Sequence, residues 1–246
     1  KKLKVANKII ILDRCHSAFS GNYSLILDYV DAIAVSFKKF LNVRDGGAII
    51  IKNSSFEKIR LGKGFKFEDF IFEFRSFFEK FFSLLGIINI YSNNLYKIKD
   101  KIRKSQNKFQ YKKIKYYNNS KLFNILNNDH LLGEVKSKRQ LNYKKLVNLI
   151  HEKKILLNLD DESLEFVPQV LPIIDHKGGL LEHLRNKGIA TYTWPGNDMP
   201  DYIIENKIFF KYAIELNRSI VCVPIHHSLN RENIIYISES INSFYK

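Results

Sequence analysis

Short apolar runs alternate with charged or glycine-rich breaks along the chain. Ile9 to Leu12 is an unbroken apolar run that stops at Asp13, the pattern of a short strand buried on both faces in a parallel sheet. Asp31 to Phe37 (DAIAVSF) forms a second such run, and Ala48 to Ile51 a third, directly after Gly46 and Gly47. From Phe65 to Leu85, Phe and Leu recur at spacings of three and four with Glu and Lys between them and no proline or glycine, which predicts a helix with a wide apolar face. Farther on, the pattern predicts a helix around Tyr143 to Ile155 and a strand around Leu164 to Ile174. A helix from about Gly179 to Asn186, ended by Gly188, follows. A strand over Ile189 to Trp194, a helix near Tyr202 to Leu216, a strand over Ile220 to Ile225 and a helix from Asn230 complete the chain. Strands alternating with helices predict an α/β sandwich.

All five prolines fall between Pro168 and Pro224. This shift in composition places a boundary near residue 150, with one domain over 1–150 and a smaller α/β domain over 151–246. The chain has 246 residues, 45% of them apolar and 13% aromatic, so it can bury a core and is not compositionally disordered. Its formal charge is +15, and much of that sits in one stretch. Between Lys97 and Lys121 ten basic residues face one acid, Asp100, with Phe109, Tyr111, Tyr116 and Tyr117 interleaved. The stretch is expected to be a polar helix or a solvated insertion. Its composition also suits a groove for single-stranded nucleic acid, but no recognised binding motif accompanies it, and AT-rich codon usage accounts for an excess of Lys.

Cys15 and Cys222 are too few for a secreted disulfide framework, so a reducing cytoplasm is the expected compartment. The longest nearly unbroken apolar run, Phe81 to Tyr91, is about half of the roughly 20 residues that a membrane-spanning helix needs. The start, KKLKVANKIIILD, has no small-residue cleavage site and reads as the approach to a strand. His226 and His227 are adjacent, and neighbours on an extended segment point in opposite directions. With no acid or cysteine at ligand spacing, no metal site is expected.

The candidate chemistry lies in SFKKFLNVRDGG, residues 36 to 47. Asp13 ends the first predicted strand and Ser36 to Lys39 ends the second, and ligands gather at the carboxyl ends of parallel strands. A buried carboxylate there needs a cationic partner. A lysine there can act as an amine nucleophile if its surroundings lower its pKa. An acid paired with a pyridinium nitrogen, together with a lysine that bonds to an aldehyde carbon, is what pyridoxal phosphate (PLP) enzymes require. The Ser36 hydroxyl, three residues before Lys39, can bind a cofactor phosphate. Gly46 and Gly47 allow a tight turn where side chains would crowd the cofactor. Against this, Lys39 on its own is one solvated lysine among many, Asp13 could simply cap the next turn, and His16 could be a structural histidine. Tyr192 and Trp194 could line a pocket or the core, and Arg185 or Arg218 could bind an anion.

LDRCHS (Leu12 to Ser17) followed by SFKKFLNVRDGGAIII (Ser36 to Ile51) resembles the aspartate strand and lysine loop of the fold type I PLP-dependent aminotransferases. The closest likeness is to the DegT/DnrJ/StrS group of nucleotide-sugar aminotransferases. GIATYTWP (Gly188 to Pro195) and VPIHHSLN (Val223 to Asn230) are similar to that group's closing domain. The resemblance covers both ends of the chain and fails between roughly Phe56 and Asp160. It implies the C-terminal part of a fold type I transferase, a remnant of the large-domain sheet followed by a smaller α/β domain. It further implies that Asp13 pairs with the pyridine nitrogen, that Lys39 bonds to the cofactor aldehyde, that His16 lies against the ring near its phenolic oxygen, and that Ser36 binds the phosphate. Lys38 stands where the pattern often has arginine, and Asn42 and Arg44 where it often has prolines.

The implied activity is transfer of an amino group from a donor such as glutamate to a keto sugar, nucleotide-linked, for surface polysaccharide or a related metabolite. The implied assembly is a homodimer. In this fold a sizeable portion precedes the aspartate strand, so the sequence is expected to lack its N-terminal part. A truncated or degenerate, non-catalytic relative is the alternative within the family.

Overall fold

The structure, a computed structural model, describes residues 8–41, 43, 46–51, 125–157, 166–196 and 199–246. The expected helix over Phe65 to Leu85, the basic stretch from Lys97 to Lys121, and Asn42 and Arg44 lie outside these residues. The fold is mixed α/β, in two compact units. The described part of the first unit comprises residues through 51 with 125–137 and 166–169, and that of the second comprises 138–157 and 170–246.

The first unit is built on three strands, β1 (Ile11–Asp13), β2 (Ala32–Ser36) and β3 (Gly47–Ile51), in that order across the sheet, with a short helix α1 (Tyr23–Ile26) between β1 and β2. β1 and β2 run parallel, Leu12 opposite Ile33 and Asp13 opposite Ala34. β3, expected to continue a parallel sheet, is antiparallel to β2, with Ser36 opposite Gly47 and Ala34 opposite Ile49. The reason is connection length. Only Phe37 to Gly46 join β2 to β3, and a parallel return needs a crossover of a dozen or more residues.

Side chains alternate across a strand, so one face of the sheet carries Ile33 and Val35, both buried with Phe37, Phe40, Leu41 and Val135. The opposite face carries Ile11 and Ile49, each 66% exposed, together with Asp13, Ala34 and Ser36. β1 is therefore not covered on both faces as its unbroken apolar run suggested. An apolar run has no period from which to tell one buried face from two.

Gly47 is required by the sheet itself. A Cβ at this position would lie 2.6 Å from the Val35 carbonyl oxygen across the strand pair. Gly46 before it has φ 134°, a left-handed conformation that glycine adopts without strain. The crowding that selects Gly47 comes from the neighbouring backbone.

In the second unit β4 (Val170–Ile174) pairs antiparallel with β5 (Ile220–Pro224), Pro172 opposite Cys222. Helices α2 (Asp129–Leu149, of which the part from 138 belongs here), α3 (Leu180–Asn186), α4 (Asp201–Glu205), α5 (Lys211–Ser219) and α6 (Arg231–Tyr245) supply the rest. Ile234, Ile237 and Ile241 on α6 pack with Leu180 and Leu184 of α3, Leu146 of α2, and Leu171, Ile173, Val221 and Val223 of the strands. Each such fully buried aliphatic side chain is worth about 1.5–3 kcal/mol of transfer free energy.

Side-chain caps close the ends of these helices. Asn230 and Asn233 form a reciprocal capping box at the start of α6. Asn242 donates to the Leu149 carbonyl at 2.9 Å and accepts from His151 N–H at 2.9 Å, closing the end of α2. Buried Asp175 accepts from the N–H groups of Lys177, Gly178 and Leu180 and from the Tyr245 hydroxyl, which ties the start of α3 to the end of α6.

Three elements depart from the sequence expectation. α2 begins at Asp129, well before Tyr143, because Asn128 Oδ1 accepts Leu131 N–H and caps an earlier start. Gly133 inside the helix and the buried polar Arg139 and Asn142 obscure its apolar stripe. The helix expected over Tyr202 to Leu216 is two helices, α4 and α5. Asn206 Nδ2 donates to the Tyr202 carbonyl at 2.8 Å, competing with the backbone and ending α4. The expected strand over Ile189 to Trp194 reduces to a single bridge between Tyr192 and Cys222. Side chains take the carbonyls around it: Arg185 Nε donates to the Thr191 oxygen, and Asn217 Nδ2 to the Trp194 and Gly196 oxygens.

Candidate active site

β1, β2 and the turn after β2 bring Asp13, Ser36 and Lys39 to one end of the three-stranded sheet. Asp13 is the last residue of β1 and Ser36 the last of β2. With Asp13 opposite Ala34, the Ser36 side chain, two residues on, projects from the same face as Asp13. Phe37 to Lys39 then form a 3-10 turn, with Phe40 N–H bonded to the Phe37 carbonyl at 3.0 Å. Buried Phe37 and Phe40 bracket Lys38 and Lys39, and the Phe19 ring lies 6.1 Å and 5.2 Å from their rings. These aromatic anchors set where Lys39 can reach. The Ser36 hydroxyl does not cap the turn.

Asp13 is an exposed carboxylate, not the buried one expected. Its Oδ1 accepts the Cys15 N–H at 2.8 Å. That backbone bond, helped by the Cys15 thiol and by the nearby charge of Lys39, holds the carboxyl below the usual carboxylate range. In return, Asp13 and partial burial push the Cys15 thiol up. Asp13 thus stays anionic with its charge directed at Lys39 and His16.

Lys39 Nζ meets His16 Nε2, and His16 Nδ1 lies 2.7 Å from Gln169 Oε1. Because the Gln169 oxygen only accepts, the imidazole carries its proton on Nδ1, and Nε2 accepts from the lysine ammonium. The segment bearing Gln169 is pinned to the loop after β1. Val167 N–H donates to Ser20 Oγ at 2.9 Å, and Ser20 Oγ donates to the Val167 carbonyl at 3.2 Å. Arg14 stiffens the same loop by donating to Ser17 Oγ and to the Ser20 carbonyl.

All four residues singled out from sequence, Asp13, His16, Ser36 and Lys39, therefore share one region of the first unit. Gln169 is a member that sequence reasoning missed. It lies 153 residues from His16, and no local pattern around it signals the pairing. The donor set fits PLP chemically: a persistent carboxylate for a pyridinium nitrogen, a primary amine for an aldehyde, a hydroxyl for a phosphate, and an imidazole beside the amine.

The other candidates are in the second unit. Arg185 is committed to the Thr191 carbonyl. Tyr192 is half-buried and Trp194 lies at the surface before a cis peptide bond to Pro195. His226 and His227 follow β5, where Asn142 Nδ2 donates to the His226 carbonyl at 3.1 Å. His226 lies at the surface and His227 is half-buried, and both imidazoles are held below the ordinary histidine range, first by partial desolvation and then by the charge of Arg139. Among the described residues no three His, Cys, Asp or Glu side chains converge as metal ligands would.

No family model and no curated protein matches the sequence. Solved structures match over nearly the whole chain. PseC of Helicobacter pylori, an aminotransferase involved in the biosynthesis of pseudoaminic acid, superposes with a TM-score of 0.59 at 16% identity, over 98% of this chain and 61% of its own. A Streptococcus pneumoniae protein assigned as a sugar aminotransferase, in its PMP form, gives 0.58 at 16% identity, over 99% and 59%. A DegT/DnrJ/EryC1/StrS aminotransferase from Brucella abortus gives 0.55 at 14% identity, over 99% and 60%. At these identities the likeness is one of fold. The described architecture is the fold of part of these aminotransferase structures. The chain spans about three fifths of the length of the proteins it matches.

Proposed function

We propose that the chain carries the cofactor-binding centre of a PLP-dependent aminotransferase acting on a keto sugar, nucleotide-linked, with an amino acid such as glutamate as donor. The observation that carries this reading is the placement of Lys39 Nζ on His16 Nε2, beside an Asp13 carboxylate held ionised. When bound, PLP supplies an electron sink that stabilises negative charge on the substrate carbon attached to nitrogen. Asp13 offers its anionic oxygen to a protonated ring nitrogen, a charge-assisted bond. His16 Nε2 takes a proton from Lys39 Nζ and leaves the amine free to act as a nucleophile. Lys39 Nζ then serves as the base that removes a proton from the substrate carbon and as the acid that returns it. Ser36 Oγ donates to a phosphate oxygen. Fixed hydrogen bonds around His16 keep this proton path aligned without reorganisation.

The same reading covers a cytoplasmic homodimer serving surface polysaccharide or related biosynthesis, with a large-domain portion over 1–150 and a small domain over 151–246. Among the described residues no helix is long and apolar enough to cross a membrane.

The test is borohydride reduction of the chain mixed with PLP, followed by peptide mass spectrometry. A fixed adduct on Lys39, absent in Lys39→Ala, is expected. An adduct scattered over many lysines, or one that survives in Lys39→Ala, would sink the assignment and leave a non-catalytic relative. Asp13→Asn should retain the adduct and lose most turnover, because only the charge on the ring-nitrogen partner is removed. Full turnover in Asp13→Asn would count against the pairing.

A further inference from the structure

The second unit holds a cleft of about 770 Å³ formed by α4, the turn after it and α5, within the range of small-molecule sites. Ile204, Ile208 and Ile214 give it an apolar wall, and Lys207, Lys211 and Arg218 give it three cations. Among the described residues Glu215 is the single acid on the cleft, 3.7 Å from Lys211. It offsets one positive charge and leaves an excess of two. Lys211, Ile214, Glu215 and Arg218 recur at i, i+3, i+4 and i+7, which puts them on one face of α5.

That face is held in place by the buried Asn217. Its Nδ2 donates to the Trp194 carbonyl at 2.7 Å and to the Gly196 carbonyl at 3.0 Å, and the Asn217 carbonyl accepts from the Thr193 hydroxyl. Ile208, on the apolar wall, is 85% exposed, and Phe209 and Tyr212 beside it are 85% and 83% exposed. Large apolar side chains grouped at the surface beside a concavity mark a binding surface more often than a bare exterior.

We propose that this cleft binds an organic phosphate of nucleotide size. The phosphate lies against Lys207, Lys211 and Arg218, and an aromatic or aliphatic body lies against Ile204, Ile208 and Ile214. A doubly charged group matches the excess of two charges, where a carboxylate would match only one. The Arg218 guanidinium offers the forked geometry that phosphate oxygens accept. The cleft lies within the second unit and draws on no residue of the Lys39 site.

Calorimetric titration of the whole chain with UDP, ADP, octyl phosphate and inorganic pyrophosphate separates the possible sources. Saturable binding of the nucleotides is expected, weaker at raised salt. The double variant Lys207→Ala/Arg218→Ala should lose roughly tenfold or more in affinity, as loss of two charge-assisted contacts implies. Ile208→Asp should weaken binding several-fold while leaving the melting temperature unchanged. Octyl phosphate binding in place of the nucleotides, with the same loss in the variants, would support the site with an aliphatic body. Pyrophosphate binding as tight as the nucleotides would overturn the apolar half of the proposal. No saturable binding, or full binding in the double variant, would overturn the site. The borohydride adduct on Lys39, measured on the same double variant, should be unchanged, so the two proposals fail separately.

Discussion

The two units put their polar side chains to different uses. In the second unit several polar side chains serve as caps: buried Asp175, with Asn230 and Asn242 nearer the surface, satisfies helix ends around a core in which Ile220 to Val223 are all buried. In the first unit one face of the sheet is packed and the other presents Asp13 and Ser36 beside exposed Ile11 and Ile49. There Lys39 bonds His16, His16 bonds Gln169, and Asp13 accepts the Cys15 backbone amide. Polar groups that close a fold can be spent on its own backbone. Polar groups that perform chemistry must stay reachable, and are held by a few bonds to other side chains.

The sharpest break of that comparison is Asp175→Ala. It should cost about 3 kcal/mol, because the Leu180 N–H is left buried and unsatisfied and a helix start loses its cap. The check is the shift of the urea midpoint followed by far-UV circular dichroism. The adduct at Lys39 on still-folded protein should remain, and its loss would mean that the two regions are not separable.

Gly47→Ala tests the first unit in the same way. A methyl placed 2.6 Å from the Val35 oxygen must push β2 and β3 apart, at a cost of about 2 kcal/mol. Because Ser36 and the Lys39 turn continue β2, adduct formation should fall along with stability. A variant as stable and as reactive as the parent would remove the packing explanation for this glycine.

Gln169→Ala should have a smaller effect of a different kind. The melting temperature should hold, while the rate of adduct formation at Lys39 falls several-fold and its pH profile moves, because His16 loses the partner that fixes its tautomer. Gln169→Glu should restore the rate by supplying another acceptor to Nδ1. An unchanged pH profile in Gln169→Ala would reduce Gln169 to a packing residue.

The smallest expected effect is in the second unit. His226 is held at about 4 against an ordinary 6.5, and His227 is also held low. The unfolded chain therefore takes up protons first as the pH falls. Stability that is present above about 6.5 is lost progressively towards 4. The groups facing these imidazoles are Arg139, Lys138 and each other, all of which disfavour a second positive charge. The double variant His226→Asn/His227→Gln should flatten the pH dependence of the urea midpoint in that window. An unaltered slope would assign the acid sensitivity to other groups.

Much of this was legible locally. The DAIAVSF run is β2, and Asn230 caps the last helix. The spacing of Asp13, Ser36 and Lys39 anticipated a shared strand-end location, since strand ends and 3-10 turns are set within a few residues. Other features depended on residues far apart in sequence. The antiparallel return of β3 follows from a short connection, and the choice of Gly47 from a carbonyl on the neighbouring strand.

The sequence by itself determined which residues could perform chemistry and where strands would end, because side-chain type and hydrophobic run length are local properties. Only the tertiary structure decided that Asp13 is exposed and kept anionic by a backbone amide, that Gln169 orients His16, and that Lys207, Lys211 and Arg218 border one cleft. Each of those depends on which distant segments come within hydrogen-bonding or Coulombic reach, and such proximity is settled by packing of the whole chain rather than by any window of it.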